Sequence, residues 1–171
     1  SNAMKALSSG KNYVTSNKAM VATFYEELIT TAEKNNVQIL FEAAVGGGIP
    51  WMINLQQAKQ VDALTGFRGI FNGTTNYIRD KMTREGTEFD IALKEAQSLG
   101  YAERDPSADI DGDDVKYKCC LSANMAFDTS VDLNKITTMG IRYITAKDID
   151  YAKSVGKTIR LLGKGELVDN D

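Results

Sequence analysis

FRGIFNGTTNYIRDKMTREGTEFDIALKEAQSLG, residues 67–100, is the stretch on which the fold turns. Phe67 to Phe71 reads as a short strand. Asn72-Gly73-Thr74-Thr75 supplies cap residues for a helix that ends near Gly86. Thr87 caps a second helix, which Gly100 closes. Two helices in succession break the strand-helix-strand rhythm that a doubly wound parallel sheet requires. The pattern therefore predicts an α/β (α+β) domain: a mixed β-sheet with helices packed mainly on one face.

The flanks fit that class. Upstream, Met20, Phe24, Leu28 and Ala32 recur every four residues, predicting a helix over 19–33. Val37 to Val45 is an apolar run of buried-strand character, broken only by Gln38 and Glu42. Gly46-Gly47-Gly48 punctuates the chain, and Pro50 opens a helix through about Gln60. Downstream, an irregular acidic stretch from Glu103 to Asp113 precedes a helix from about Asp111 to Phe127. Two weaker strands, Ile141 to Ile144 and Thr158 to Leu162, flank a short helix from Ala146 to Val155. Ser1-Asn2-Ala3 before Met4 reads as an expression scar, outside the fold.

Composition narrows the chemistry. The 171 residues are 43% hydrophobic and 25% charged, an ordinary globular balance. A net charge of −3 argues against nucleic-acid binding, which needs a basic footprint. No apolar run approaches the roughly 20 residues that span a bilayer, so no membrane role is expected. There is no histidine. That removes Ser-His-Asp and Cys-His nucleophiles and every His-ligated metal site. Proton transfer falls to Lys, Asp, Glu, Tyr or Cys. Cys119 and Cys120 are adjacent and poorly placed to bridge each other, which points to a reduced, cytoplasmic protein.

Four features are candidates for function. Gly46 and Gly48 begin a dinucleotide fingerprint, but Trp51 occupies the third glycine position and the match fails. A tight strand-to-helix turn is the simpler account, although glycines also let backbone approach a ligand or ion. Residues 103–114 hold five aspartates and a glutamate. With Gly112 at position six of a calcium loop, position twelve is Lys118 where a bidentate Glu is required, so an EF-hand is excluded. A solvated acidic loop with Asp111 capping the next helix explains Asp111 and Asp113, but not Glu103 and Asp109 as well. Asp114 and Lys118 lie four apart on one helical face. On the surface such a pair contributes about 0.3–0.5 kcal/mol; buried, it sets a catalytic lysine's protonation state. Spacing leaves both open. Lys18 begins the first helix, where it opposes the helix dipole. Lysines and carboxylates together suit carbonyl chemistry, because an ammonium can protonate a developing alkoxide.

Five segments carry a resemblance: YVTSNKAMVA (13–22), FEAAVGGGIP (41–50), GIFNGTTNYI (69–78), EAQSLGYAERDPSADIDGDDVKYK (95–118) and MGIRYIT (139–145). In this order they resemble homoserine dehydrogenase, and they cover nearly the whole chain. The resemblance implies NAD- or NADP-dependent interconversion of L-homoserine and L-aspartate 4-semialdehyde, on the route to threonine, isoleucine and methionine. It implies that residues 4–18 are the end of a nucleotide-binding domain otherwise absent, and that residues 19–171 are the catalytic and dimerisation domain. It further implies a homodimer formed largely through the sheet.

Site residues follow from the same resemblance. Lys118 matches the proton donor and acceptor, Asp114 the carboxylate paired with it, and Lys18 a second lysine near substrate and nicotinamide. Glu103 matches the residue holding the substrate amino group, with Asp109 nearby. Gly73, Thr74 and Tyr101 fall in segments lining the substrate site. Glu42, with the carbonyls of Val45, Gly47 and Ile49, matches a monovalent-cation site for sodium or potassium; Gly47 stands where other members carry a different small residue. With the nucleotide domain missing, little or no turnover is expected of this chain alone. Two other readings remain: a reductase of another amino-acid semialdehyde, and a non-catalytic dimerisation fragment.

Overall fold

The computed structural model describes residues 1–168. The expected C-terminal limit at Asp171 lies outside the described residues. The element order is α1 (Asn2–Ser8), β1 (Tyr13–Val14), α2 (Lys18–Thr23), α3 (Tyr25–Lys34), β2 (Ile39–Leu40), a 3-10 turn (Glu42–Ala44), α4 (Trp51–Val61), β3 (Gly66–Gly69), α5 (Gly73–Glu85), α6 (Phe89–Ser98), α7 (Ser107–Ile110), α8 (Asp113–Phe127), a second 3-10 turn (Leu133–Lys135), α9 (Ala146–Ser154) and β4 (Gly163–Glu166). The fold is α/β and rich in helix. Its described strands form two two-stranded sheets, β1 with β2 and β3 with β4. β1 and β2 run parallel, with Tyr13 opposite Ile39 and Val14 opposite Leu40.

Contacts divide the chain into two compact units. The first holds Ser1–Phe67, Tyr117–Ile136 and the segment from Lys164 on; the second holds Arg68–Lys116 and Thr137–Gly163. In the first unit, α1 packs on α3, and α3 on α2 and β2. Leu7, Val21 and Leu28 are buried there. Ser1 caps α1 and Ala3 is buried, so the leading three residues join the fold rather than standing outside it. In the second unit, α5 packs against α6, α7 and α9. Ile78, Met82, Ala92, Ala96, Ile110, Ile141 and Ile149 form its core.

The consecutive helices after Gly73 are present. Asn72 caps α5 through its side chain, which accepts from the Thr75 amide at 2.8 Å. Gly86 at φ 66° closes α5 in the left-handed region. The cap of α6 is Glu88 rather than Thr87. Other expectations need correction. The helix over 19–33 is two helices that meet at Phe24, whose φ of −116° and ψ of 27° lie outside the helical range. The apolar run 37–45 pairs as a strand only at Ile39–Leu40. Phe41 then turns the chain, with the Ala44 amide donating to its carbonyl at 2.9 Å. An apolar run buried in a tight turn has the same composition as one buried in a strand, which periodicity cannot separate.

Ile141–Ile144 is a turn, not a strand. The Ile141 amide donates to the Ile110 carbonyl at 2.7 Å, and the Ile144 amide to the Ile141 carbonyl at 3.1 Å. Thr158–Leu162 forms no strand; Ile159 and Leu161 pack on the second core, and β4 begins one residue later. The acidic stretch contains α7, which was not expected.

Gly140 is where the turn meets α7. A Cβ there would stand 2.5 Å from Asp111 Cα and 2.7 Å from its carbonyl carbon, and backbone cannot yield as a side chain tip can. Gly140→Ala should therefore destabilise the protein by about 2–3 kcal/mol. Thr145→Ala removes one side of the capping box on α9 and should cost about 1 kcal/mol. Chemical denaturation of both variants checks the ordering.

Candidate functional site

Asn72 uses its whole side chain. Its Oδ1 caps α5, while its Nδ2 donates to Asp109 Oδ1 at 2.6 Å and to Asp114 Oδ2 at 3.0 Å. Asn72 is 5% exposed and Asp114 7%. Asp109 comes from α7 and Asp114 from the first turn of α8. One neutral amide thus gathers two carboxylates from separate helices, and donation to an ionised acceptor makes these the stronger kind of hydrogen bond.

Around this centre, Thr74 Oγ1 donates to the Tyr101 carbonyl at 2.6 Å, joining the start of α5 to the loop after α6. The Tyr101 ring lies 4.8 Å from that of Tyr77. Gly73 opens α5 on an exposed face, and a Cβ there would meet nothing within 4 Å. Glu103 keeps its side chain exposed; its backbone carbonyl accepts from Gln97 Nε2 at 3.0 Å, which anchors the loop that presents it.

The acidic stretch is anchored, not simply solvated. Arg142 donates to Asp111 through Nε at 2.7 Å and Nη2 at 2.6 Å, a forked pairing. This holds the Asp111 carboxyl below its ordinary range. Asp105 accepts from the Ser107 amide at 3.1 Å and is also lowered, by the Ser107 hydroxyl and amide. Asp111 precedes α8 as expected, but its carboxylate serves Arg142.

α8 continues from Asp114 to Lys118, one turn on and on the same face. Lys118 is half-buried within the first unit. Its backbone is fixed there: Ser122 Oγ donates to the Lys118 carbonyl at 2.7 Å and accepts from Trp51 Nε1 at 2.8 Å. Lys59 ties the other end of α4 to α8 through the Met125 carbonyl at 2.9 Å. Trp51, which broke the glycine fingerprint, is thus an anchor between α4 and α8. Lys18 is the first residue of α2, after the Asn17 cap, and is half-buried.

Gly46 at φ 71° and Gly48 at φ 81° take backbone conformations that side chains disfavour. The turn they make follows Glu42, which is exposed. Among the described residues, no backbone amide donates to the Val45 or Gly47 carbonyl, whereas the Ile49 carbonyl accepts from Trp51 at 2.7 Å.

Residues 50–168 match the family model described as homoserine dehydrogenase. The chain belongs to the homoserine dehydrogenase family. It is 42% identical over 158 residues to the Bacillus subtilis homoserine dehydrogenase, covering 92% of this chain and 36% of that protein. The crystal structure of a homoserine dehydrogenase from Thiobacillus denitrificans superposes with a TM-score of 0.95 at 39% identity, covering 98% of this chain and 39% of that one. A hyperthermophilic archaeal homoserine dehydrogenase in complex with NADPH superposes with a TM-score of 0.84 at 32% identity, covering 96% of this chain and 48% of that one. The chain therefore spans 36–48% of the length of these relatives.

Arg142, and the second task of Asn72 beyond the expected cap, are what sequence reasoning passed over. A signal existed for Asn72: unlike Asp, Ser or Thr, an asparagine cap retains an amide donor, and an acidic loop needs donors. Asn72→Ala removes the cap and both donations, and should cost about 2–3 kcal/mol. Asn72→Asp keeps the cap oxygen but sets three carboxylates together. Their folded-state pKa values then rise, so stability should be recovered at low pH and lost as pH rises through the carboxylate range. Denaturation midpoints at pH 4, 5.5 and 7, roughly spanning that range, check the sign. The lowered Asp111 carboxyl has the opposite sign: its contribution is present above the unfolded pKa and lost as pH falls through the folded one. Arg142→Gln should flatten that acid limb in the same titration.

Proposed function

We propose that this chain supplies the substrate-binding and proton-transfer portion of a homoserine dehydrogenase, which interconverts L-homoserine and L-aspartate 4-semialdehyde. The observation that carries the reading is the Asn72 hub, with Asp109 and Asp114 held at the base of the helix that bears Lys118. The Lys118 ammonium gives a proton to the aldehyde oxygen in reduction and its neutral amine takes one from the hydroxyl in oxidation. Asp114, one turn back on the same helical face, is the carboxylate paired with it in this reading. Lys18 supplies a second ammonium that stabilises negative charge on oxygen. The carboxylates of Glu103 and Asp109 receive the substrate ammonium. Gly73, Thr74 and Tyr101 shape the surface that the substrate meets.

When bound, NAD or NADP supplies or accepts the hydride; one structural relative is an NADPH complex. Of this chain's residues, Lys18 is the one assigned to the nicotinamide end. Residues 4–18 are the close of the nucleotide-binding domain in this reading, and the catalytic domain starts at residue 19. Glu42 with the carbonyls of Val45, Gly47 and Ile49 takes sodium or potassium. Two copies pair through their sheets. A reducing, cytoplasmic setting suits two buried, unbridged thiols, and among the described residues no helix is long and apolar enough to cross a membrane.

Calorimetric titration of L-homoserine into the chain tests the substrate half. Saturable binding is expected, with Glu103→Gln weakening it tenfold or more and leaving the unfolding midpoint unchanged. Equal affinity in the variant, or equal affinity for an analogue lacking the amino group, would overturn the assignment. Homoserine oxidation by the isolated chain with NADP should be negligible; a rate near that of a full-length relative overturns the division of labour.

A further inference from the structure

α5 carries a second cluster, on side chains the dehydrogenase reading does not use. Arg79 is 6% exposed. Its Nη2 lies 3.3 Å from Asn76 Oδ1, and its Nε has no hydrogen-bond partner among the described residues. Arg160, an exposed residue of the segment before β4, donates from Nη1 to the same Asn76 Oδ1 at 2.7 Å. Two guanidinium groups thus converge on one uncharged oxygen. That oxygen has lone pairs for both, but no negative charge.

The neighbouring carboxylates are committed elsewhere. Asp80 accepts from Arg84 Nε at 2.9 Å and stands 3.9 Å from Arg79. Glu85 and Glu95 both bind Lys81, at 2.8 and 2.9 Å. Lys153, from α9, donates to the Thr83 carbonyl, one turn beyond Arg79, and adds a third positive charge to this part of the unit. Burial and Arg160 both press the Arg79 guanidinium below its ordinary pKa, yet a guanidinium stays charged in a protein. Arg79 is a buried cation with an orphaned N–H, and its one carboxylate contact, Asp80, is long at 3.9 Å and shared with Arg84, so an anion would complete the site.

We propose that Arg79, Arg160 and Asn76 form a binding site for a small oxyanion, a phosphate or a carboxylate, held between the two guanidinium groups. Their planar forks match the oxygens of either anion. The site stands apart from the substrate assignment. Asn76 and Arg79 lie one and two turns along α5 from Asn72, Arg160 lies in the segment before β4, and none of the three has a role in the proposed proton transfer.

Isothermal titration of inorganic phosphate into the 171-residue chain, at low ionic strength in a buffer free of oxyanions such as Tris chloride, tests it. One saturable site is expected, weakening as chloride rises. Arg160→Gln, at an exposed position, should weaken binding tenfold or more. Lys94→Gln, which removes one exposed charge elsewhere on the same unit, should leave it unchanged. Arg79→Leu substitutes an apolar side chain at the buried position and should abolish binding while the protein stays folded. Phosphate should raise the thermal midpoint of the parent chain but not of Arg79→Leu. Acetate in competition identifies the source: displacement of phosphate marks a site that also takes carboxylates, and its failure marks one specific for tetrahedral anions. Absence of saturable binding by both anions, or equal phosphate affinity in Arg160→Gln and the parent, overturns the proposal.

Discussion

The second unit depends on how one carboxamide is spent. Asn72 ends β3's connection to α5, caps that helix and donates to carboxylates from α7 and α8. Two nearby carboxylates repel unless a donor stands between them, and a buried carboxylate without a donor is costly. The shared amide meets both demands without adding charge. It also couples three helix starts, so the geometry of Asp109 and Asp114 follows from the packing of α5.

A second arrangement serves α8 beyond Asp114. Ser122 is a relay: its hydroxyl accepts from the Trp51 indole and donates to the Lys118 carbonyl. The Trp51 ring also meets Phe67 edge-on at 6.1 Å. The glycine turn before α4 and the lysine on α8 are therefore tied through one tryptophan. This gives physical content to the failed dinucleotide fingerprint. The third glycine of such a motif lets helix and strand approach closely, whereas here a large ring is needed to fill and fasten the same interval.

The two arginine clusters of the second unit differ in what they face. Arg142 meets a carboxylate through both arms of its fork, and the pair fixes the acidic loop. Arg79 and Arg160 meet an amide oxygen that carries no charge. The same side chain is matched by a forked carboxylate in one place and, in the other, only by an amide oxygen and a carboxylate 3.9 Å away that Arg84 shares. Charge accounting residue by residue separates them, where a count of arginines does not.

Local sequence determined a good deal. Capping asparagine and left-handed glycine marked the ends of α5, because helix termini must satisfy orphan amides with particular side chains. The absence of histidine confined acid-base chemistry to lysines and carboxylates. The four-residue spacing placed Asp114 and Lys118 on one helical face, and the ordered motifs pointed to the family. Other features awaited the tertiary structure. Whether 141–144 formed a strand depended on the Ile110 carbonyl, some thirty residues away in sequence. Whether 37–45 stayed extended depended on a turn at Phe41. Asn72's second task depended on where α7 and α8 begin. The first and the third are contacts between residues distant in the chain, and the second is a local turn with the composition of a strand; local pattern carries burial and periodicity but neither the distant partner nor the difference between a buried turn and a buried strand.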